Sequence, residues 1–228
     1  MLIKKLGMVI AAGGSGSRFS KTVNKLLVDY RGKPLMIHAL STFLPVLEAG
    51  NMVIAAAVSE IENMKNLVDE YLPGNNIRWV SGGATRLASV ANAVAALPAD
   101  LELVAIHDAA RPLATAELLN ELCEAARIYG GAIPGRTPVD TIKKIDENGM
   151  IVENLIRSDL MAVATPQVFK YQQYCHALKQ LPEELLNGRS ESQLITDDAA
   201  LFLLAGGKVK AVLSYEPNTK ITTLEDIA

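Results

Sequence analysis

The chain of 228 residues carries 22 basic and 25 acidic side chains for a net charge of −3, and half of it is hydrophobic. A chain of this length buries its own core without staples, and so mild a negative balance excludes a general nucleic-acid or membrane surface. An anionic ligand has to be met by a few placed cations.

Two cysteines, Cys123 and Cys175, lie far apart and at no metal-ligand spacing, which predicts free thiols in a reducing, cytoplasmic compartment. Met1-Leu2-Ile3-Lys4-Lys5 runs straight into a strand-like segment without a secretory leader pattern. No apolar run approaches the roughly 20 residues that span a bilayer. Residues 1–228 are expected to form one domain.

Leu6–Ala11 is a short apolar run that breaks into glycines, the mark of a buried parallel strand. Residues 35–47 have helical spacing behind Pro34, a favourable first-turn residue. Strands are predicted at 52–58, 77–80 and 103–106, and helices at 60–71 and 87–97. Thr115 can cap a helix that runs to Tyr129, where Gly130-Gly131 ends it. Strand and helix thus alternate, which predicts an α/β fold with a Rossmann-like, doubly wound, mostly parallel sheet. Ligands of such sheets bind beyond the carboxyl ends of the strands. At Gly135 the rhythm changes. Asp146-Glu147-Asn148-Gly149 between β-like runs signals a hairpin, and residues 136–159 read as a projecting β-arm. Helices at 171–180 and 196–205 and a strand at Val209–Leu213 follow.

The segment Ala11-Ala12-Gly13-Gly14-Ser15-Gly16-Ser17-Arg18-Phe19 is the first ligand-facing loop. Small residues let successive N–H groups close on phosphate oxygens, although an ordinary strand-to-helix turn has the same composition. A dinucleotide fingerprint fails because Phe19 stands where the last glycine belongs, and a Walker loop fails at Arg18. Arg18 in the loop and Lys25 seven residues on suit a triphosphate better than a dinucleotide.

The strand at 103–106 runs into His107-Asp108-Ala109-Ala110-Arg111-Pro112. Asp108 can cap local backbone, or it can orient a phosphate-bound Mg²⁺ through water. Arg111 can reach a phosphate on a second substrate with its bidentate fork. His107 reads as a packing residue.

Together with Asn24-Lys25, Gly82-Gly83, Arg86, Ser89-Val90, Val139-Asp140-Thr141-Ile142-Lys143, Arg157, Thr165-Pro166-Gln167, Thr196-Asp197-Asp198-Ala199 and Lys220-Ile221-Thr222, these segments carry a resemblance. Across essentially its whole length the chain resembles the 2-C-methyl-D-erythritol 4-phosphate cytidylyltransferases. The resemblance implies CMP transfer from CTP to that polyol phosphate in non-mevalonate isoprenoid synthesis, with Mg²⁺ as cofactor. It implies no nucleic-acid or membrane partner, and a homodimer formed through the arm. CTP would lie on Ala11, Ala12, Gly13, Gly14, Ser15 and Gly16, with Gly83, Arg86, Ser89 and Asp108 beside it. Arg18, Lys25, Arg157 and Lys220 would be the catalytic set. Asp108, Ala109, Arg111, Thr165 and Lys220 would line the acceptor site, with Thr141 and Arg157 reaching it from the partner's arm. Two departures stand out: an extra small residue in the first loop, and Ala84-Thr85 where the family is more acidic. The alternative is a sister cytidylyltransferase for ribitol 5-phosphate or another alditol phosphate.

Overall fold

The computed structural model describes residues 2–13, 19, 24–186, 195–223 and 225–227. Strand β1 (Leu6–Ala11) is followed by two short strands, β2 (Asp29–Tyr30) and β3 (Lys33–Pro34), and by helix α1 (Leu35–Phe43). Then come β4 (Met52–Ala56), α2 (Val58–Tyr71), β5 (Arg78–Ser81), α3 (Arg86–Ala95), β6 (Leu103–Asp108) and α4 (Ala116–Tyr129). The second half holds β7 (Gly131–Arg136), β8 (Lys143–Ile145), β9 (Ile151–Asn154), β10 (Ala162–Val163), β11 (Gln167–Lys170) and α5 (Tyr171–Lys179). It closes with α6 (Glu183–Leu186), α7 (Asp198–Leu204) and β12 (Val209–Leu213).

Strands β6, β1, β4 and β5 lie side by side and parallel, in register Ala11 opposite Asp108 and Ala55. Strands β1, β4 and β6 are buried on both faces because helices cover both, whereas β5, Arg78-Trp79-Val80-Ser81, is only half-buried. Leu6, Met8 and Ile10 face one core with Leu35, Met36 and Leu40 of α1 and Leu119 and Leu122 of α4. Val9, Val53 and Val104 face the other with Val90 and Val94 of α3 and Tyr174 and Phe202 beyond.

Beyond β6 the pattern departs from simple alternation. Strand β11 inserts antiparallel between β6 and β7, and β7 also pairs parallel with β12 and antiparallel with β10. The mostly parallel sheet is therefore mixed, and β7, β10 and β11 are strands that local pattern did not reveal. The β6 strand also runs two residues past its expected end, so His107 and Asp108 belong to the ladder. Residues 57–58, read as strand, instead cap and open α2.

Helix ends follow their side chains. Thr115 caps α4 by accepting from Leu118 N, and Gly130 ends it at φ 105°, a conformation that strains residues with a Cβ. Thr85 caps α3, which opens at Arg86, one residue ahead of its expected start, and Asp197 caps α7. The expected arm is built from β8 and β9, which pair only with each other and are exposed throughout. Among the described residues no helix is long and apolar enough to cross a membrane.

Candidate active site

A cavity of about 370 Å³ opens over the carboxyl ends of β1 and β6. Ala11, Ala12 and Gly13 form its floor, Gly83 to Arg86 one wall, and Lys25 and Lys220 the other. Gly14, Ser15, Gly16 and Arg18 lie outside the described residues.

The wall after β5 can approach closely because it has no side chain there. A Cβ on Gly83 would come within 2.4 Å of the Ala88 Cβ. Ser89, buried under this loop, accepts from Gly83 N at 3.0 Å and donates to Thr85 O at 2.9 Å. Its hydroxyl thus holds the wall from beneath. Lys25 opens a short 3-10 turn capped by Asn24, whose amide also donates to Glu60. From there the Lys25 ammonium donates to Ile221 O at 2.9 Å.

Asp108 is the acid at the centre. Its Oδ1 accepts from Arg86 Nε at 3.2 Å and its Oδ2 from Lys220 Nζ at 2.8 Å, with Arg111 Nε 3.7 Å from Oδ2. Burial alone would raise this carboxyl, but Arg86 and then Lys220 outweigh it and hold it well below the usual carboxylate range. Asp108 is ionised at any working pH.

Behind it stands a hydrogen-bonded column. Asp108 N donates to Thr165 Oγ1 at 3.1 Å, Thr165 Oγ1 lies 3.0 Å from His107 Nδ1, and His107 Nε2 lies 3.1 Å from Arg111 O. A carbonyl only accepts, so the His107 proton sits on Nε2 and Nδ1 accepts from Thr165. Burial pushes His107 down to about 4, against the pull of Asp108. The expectation of a packing histidine fits this setting, edge-on to Phe43. Ala109 and Thr165, expected on the acceptor wall, are buried behind it: the Ala109 N–H donates to Ala11 O, and the Thr165 hydroxyl is held in the column.

A second hollow of about 230 Å³ adjoins the first and shares Lys220 with it; Arg111, Arg136 and Asn218 also line it. Arg111 Nη1 donates to Asn218 O at 2.7 Å, while Arg111 Nε and Asn218 Oδ1 are buried without a hydrogen-bond partner among the described residues. Thr141 and Arg157 meet each other on the exposed arm at 3.1 Å and line neither hollow.

Local sequence does not point to Asp198, which grips Arg86 from the far side, or to Tyr174, whose hydroxyl donates to Asp198. The doublet Asp197-Asp198 was visible, but a 112-residue separation between ion-pair partners leaves no local trace.

Among the described residues no three His, Cys, Asp or Glu side chains are grouped to hold a metal. Asp108 fits a divalent ion only where phosphate oxygens and water complete the shell, as Mg²⁺ commonly accepts.

A cation-rimmed cavity with a small-residue floor, beyond the carboxyl ends of parallel strands, defines an α/β protein that handles nucleotide phosphates. Residues 6–228 match the family model described as 2-C-methyl-D-erythritol 4-phosphate cytidylyltransferase, and the chain belongs to that family. It is 34% identical to the protein of that name from Caldanaerobacter subterraneus, over 96% of this chain and 94% of the relative. It is 35% identical to one from a Nostoc species, over 97% and 94%. Among solved structures, 4-diphosphocytidyl-2C-methyl-D-erythritol synthase from Anaerococcus prevotii superposes with a TM-score of 0.80 at 28% identity, covering 97% of this chain and 92% of that one.

Proposed function

We propose that the chain transfers CMP from CTP to 2-C-methyl-D-erythritol 4-phosphate, giving 4-diphosphocytidyl-2-C-methyl-D-erythritol and pyrophosphate in non-mevalonate isoprenoid synthesis. Family membership supports the reaction. The observation that carries it to this chain is the convergence of Lys25, Arg86 and Lys220 on one cavity around Asp108.

An oxygen of the acceptor's phosphate attacks the α-phosphorus of CTP, and the bond to the β-phosphate oxygen breaks on the opposite side. The monoester is already largely ionised at neutral pH, so no strong general base is required. The obstacle is bringing two polyanions together. Positioning supplies about 7–11 kcal/mol in favourable cases, and fixed cations offset the repulsion. Lys25 and Lys220 flank the space for the triphosphate, and Arg18 is the third cation we assign to it. The backbone of Ala11 to Gly13 and of Gly83, propped by Ser89, would read the base. Arg111 and Asn218 line the second hollow beside Lys220, where the acceptor would sit. Mg²⁺, held by the phosphates with Asp108 nearby, would add charge neutralisation when bound.

Thr141 and Arg157 line neither hollow within one chain, and the arm carries exposed Val139, Ile145, Met150, Ile151 and Ile156. We assign this face to a second copy of the chain, whose site the arm would complete. Free cysteines suit the cytoplasm.

Pyrophosphate release from CTP should depend on 2-C-methyl-D-erythritol 4-phosphate and be at least tenfold slower with ribitol 5-phosphate. Equal or faster release with ribitol 5-phosphate would transfer the assignment to the sister activity. Lys25→Ala should cut kcat at least about a hundredfold, the scale of losing one preorganised charge-stabilising donor. Near-normal turnover in a folded Lys25→Ala protein removes that residue from the reaction.

A further inference from the structure

Asp198 is fully buried, lines neither hollow, and is nonetheless tied to the reacting centre. It is the first residue of α7. Its Oδ1 accepts from the Tyr174 hydroxyl at 2.6 Å and its Oδ2 from Arg86 Nη1 at 2.8 Å. The same guanidinium reaches Asp108 Oδ1 through Nε. Arg86 is thus a planar strut between a buried carboxylate and the carboxylate of the cavity.

We propose that Asp198 is a positioning residue for nucleotidyl transfer: by clamping Arg86 from behind, it fixes the orientation of the Asp108 carboxylate. The proposal rests on the function assigned above.

The anchor end is rigid. Asp197 Oδ1 accepts from Ala200 N, its Oδ2 accepts from Gln167 Nε2 at 2.9 Å, and Gln167 Oε1 accepts from Ala199 N at 3.0 Å. The first turn of α7 is thereby pinned to β11. Tyr174 stacks on Phe169, centroids 5.0 Å apart, and Phe169 packs on Phe202 of α7. The strut end is not rigid by itself, because a long side chain bound at one point keeps rotamer freedom. Two carboxylates at different nitrogens fix the guanidinium plane, and that plane turns Asp108 Oδ1 toward Arg86. Oδ2 is then left to Lys220.

Charge points the same way. Arg86, Arg111 and Lys220 surround Asp108, and the Asp198 charge offsets one of the three. A buried ion pair is weak evidence for stability, since well-packed apolar residues replace such pairs without loss. Holding a geometry is the better account of this one.

The test is kinetic. Asp198→Asn keeps the volume and should lower kcat at least tenfold, while the calorimetric Kd for CTP moves less than threefold. In an Arg86→Met background the same substitution should change kcat less than twofold, because the strut is already absent. Independent, multiplicative losses, or a kcat that falls only with the folded fraction, would overturn the proposal. If Asp198→Asn does not fold, Tyr174→Phe decides, since it leaves the ion pair in place but frees one Asp198 oxygen. A threefold or greater drop in kcat at unchanged CTP affinity supports the clamp, and an unchanged kcat refutes it. A wild-type chain that releases no pyrophosphate with any polyol phosphate refutes the assigned function instead.

Discussion

His107 shows what a single proton does in this site. Its ring is neutral and buried, and Nδ1 accepts from the Thr165 hydroxyl that in turn receives the Asp108 N–H. Protonation would turn Nδ1 into a donor and break the column. Because the folded value is about 4, against an ordinary 6.5, the unfolded chain binds the extra proton between those limits. The stabilisation is fully present above pH 6.5 and is lost as pH falls toward 4, on the order of 3 kcal/mol across the window. Urea unfolding at pH 7 and pH 5 should show it as a lower midpoint at pH 5, absent when His107 is replaced by Gln. Asp108 cannot mimic this, since its depressed carboxyl changes protonation only at more acid pH.

At the scale of elements, what the sequence revealed and what it hid divide along one line. The strands β1, β4 and β6 and the helices α2 and α4 carry their own signal, continuous apolar runs or 3.6-residue spacing bounded by Pro, Gly or a capping Thr. Strand β7, Gly-Ala-Ile-Pro-Gly-Arg, carries none: two glycines and a proline argue against a strand. It exists because β11 and β12 pair with it; β10 has only two residues, and β11 has just Val168 and Phe169 between polar Gln167 and Lys170. The site divides likewise. Its floor and Asp108 announce themselves as strand-end motifs, and only the family resemblance points to Lys220. Asp198 and Asn218 act through partners half a chain away. Asp197 at the head of α7 offers a test at this scale. Asp197→Ala removes the cap and orphans the Gln167 amide, so it should cost about 1–2 kcal/mol. A thermal melt unchanged from wild type would show that the first turn of α7 does not depend on it.

At the scale of the whole molecule, the arm is the feature a lone chain leaves unused. Its strands pair only with each other, and its apolar side chains stand in solvent. With the arm assigned to a second copy, Ile151→Glu should shift the protein to monomer in light scattering. Arg157→Ala should leave the dimer intact and raise the acceptor KM with kcat little changed, as loss of uniform binding does. An acceptor KM that stays put would confine Arg157 to its own arm. The other whole-molecule feature is the seam at which Lys25 meets the Ile221 carbonyl across 196 residues. The floor at Ala11 to Gly13, with Lys25 beside it, and the far rim with Lys220 thus belong to distant segments that meet only in the folded chain. A ligand that bridges both rims binds only the folded chain and so stabilises it by mass action.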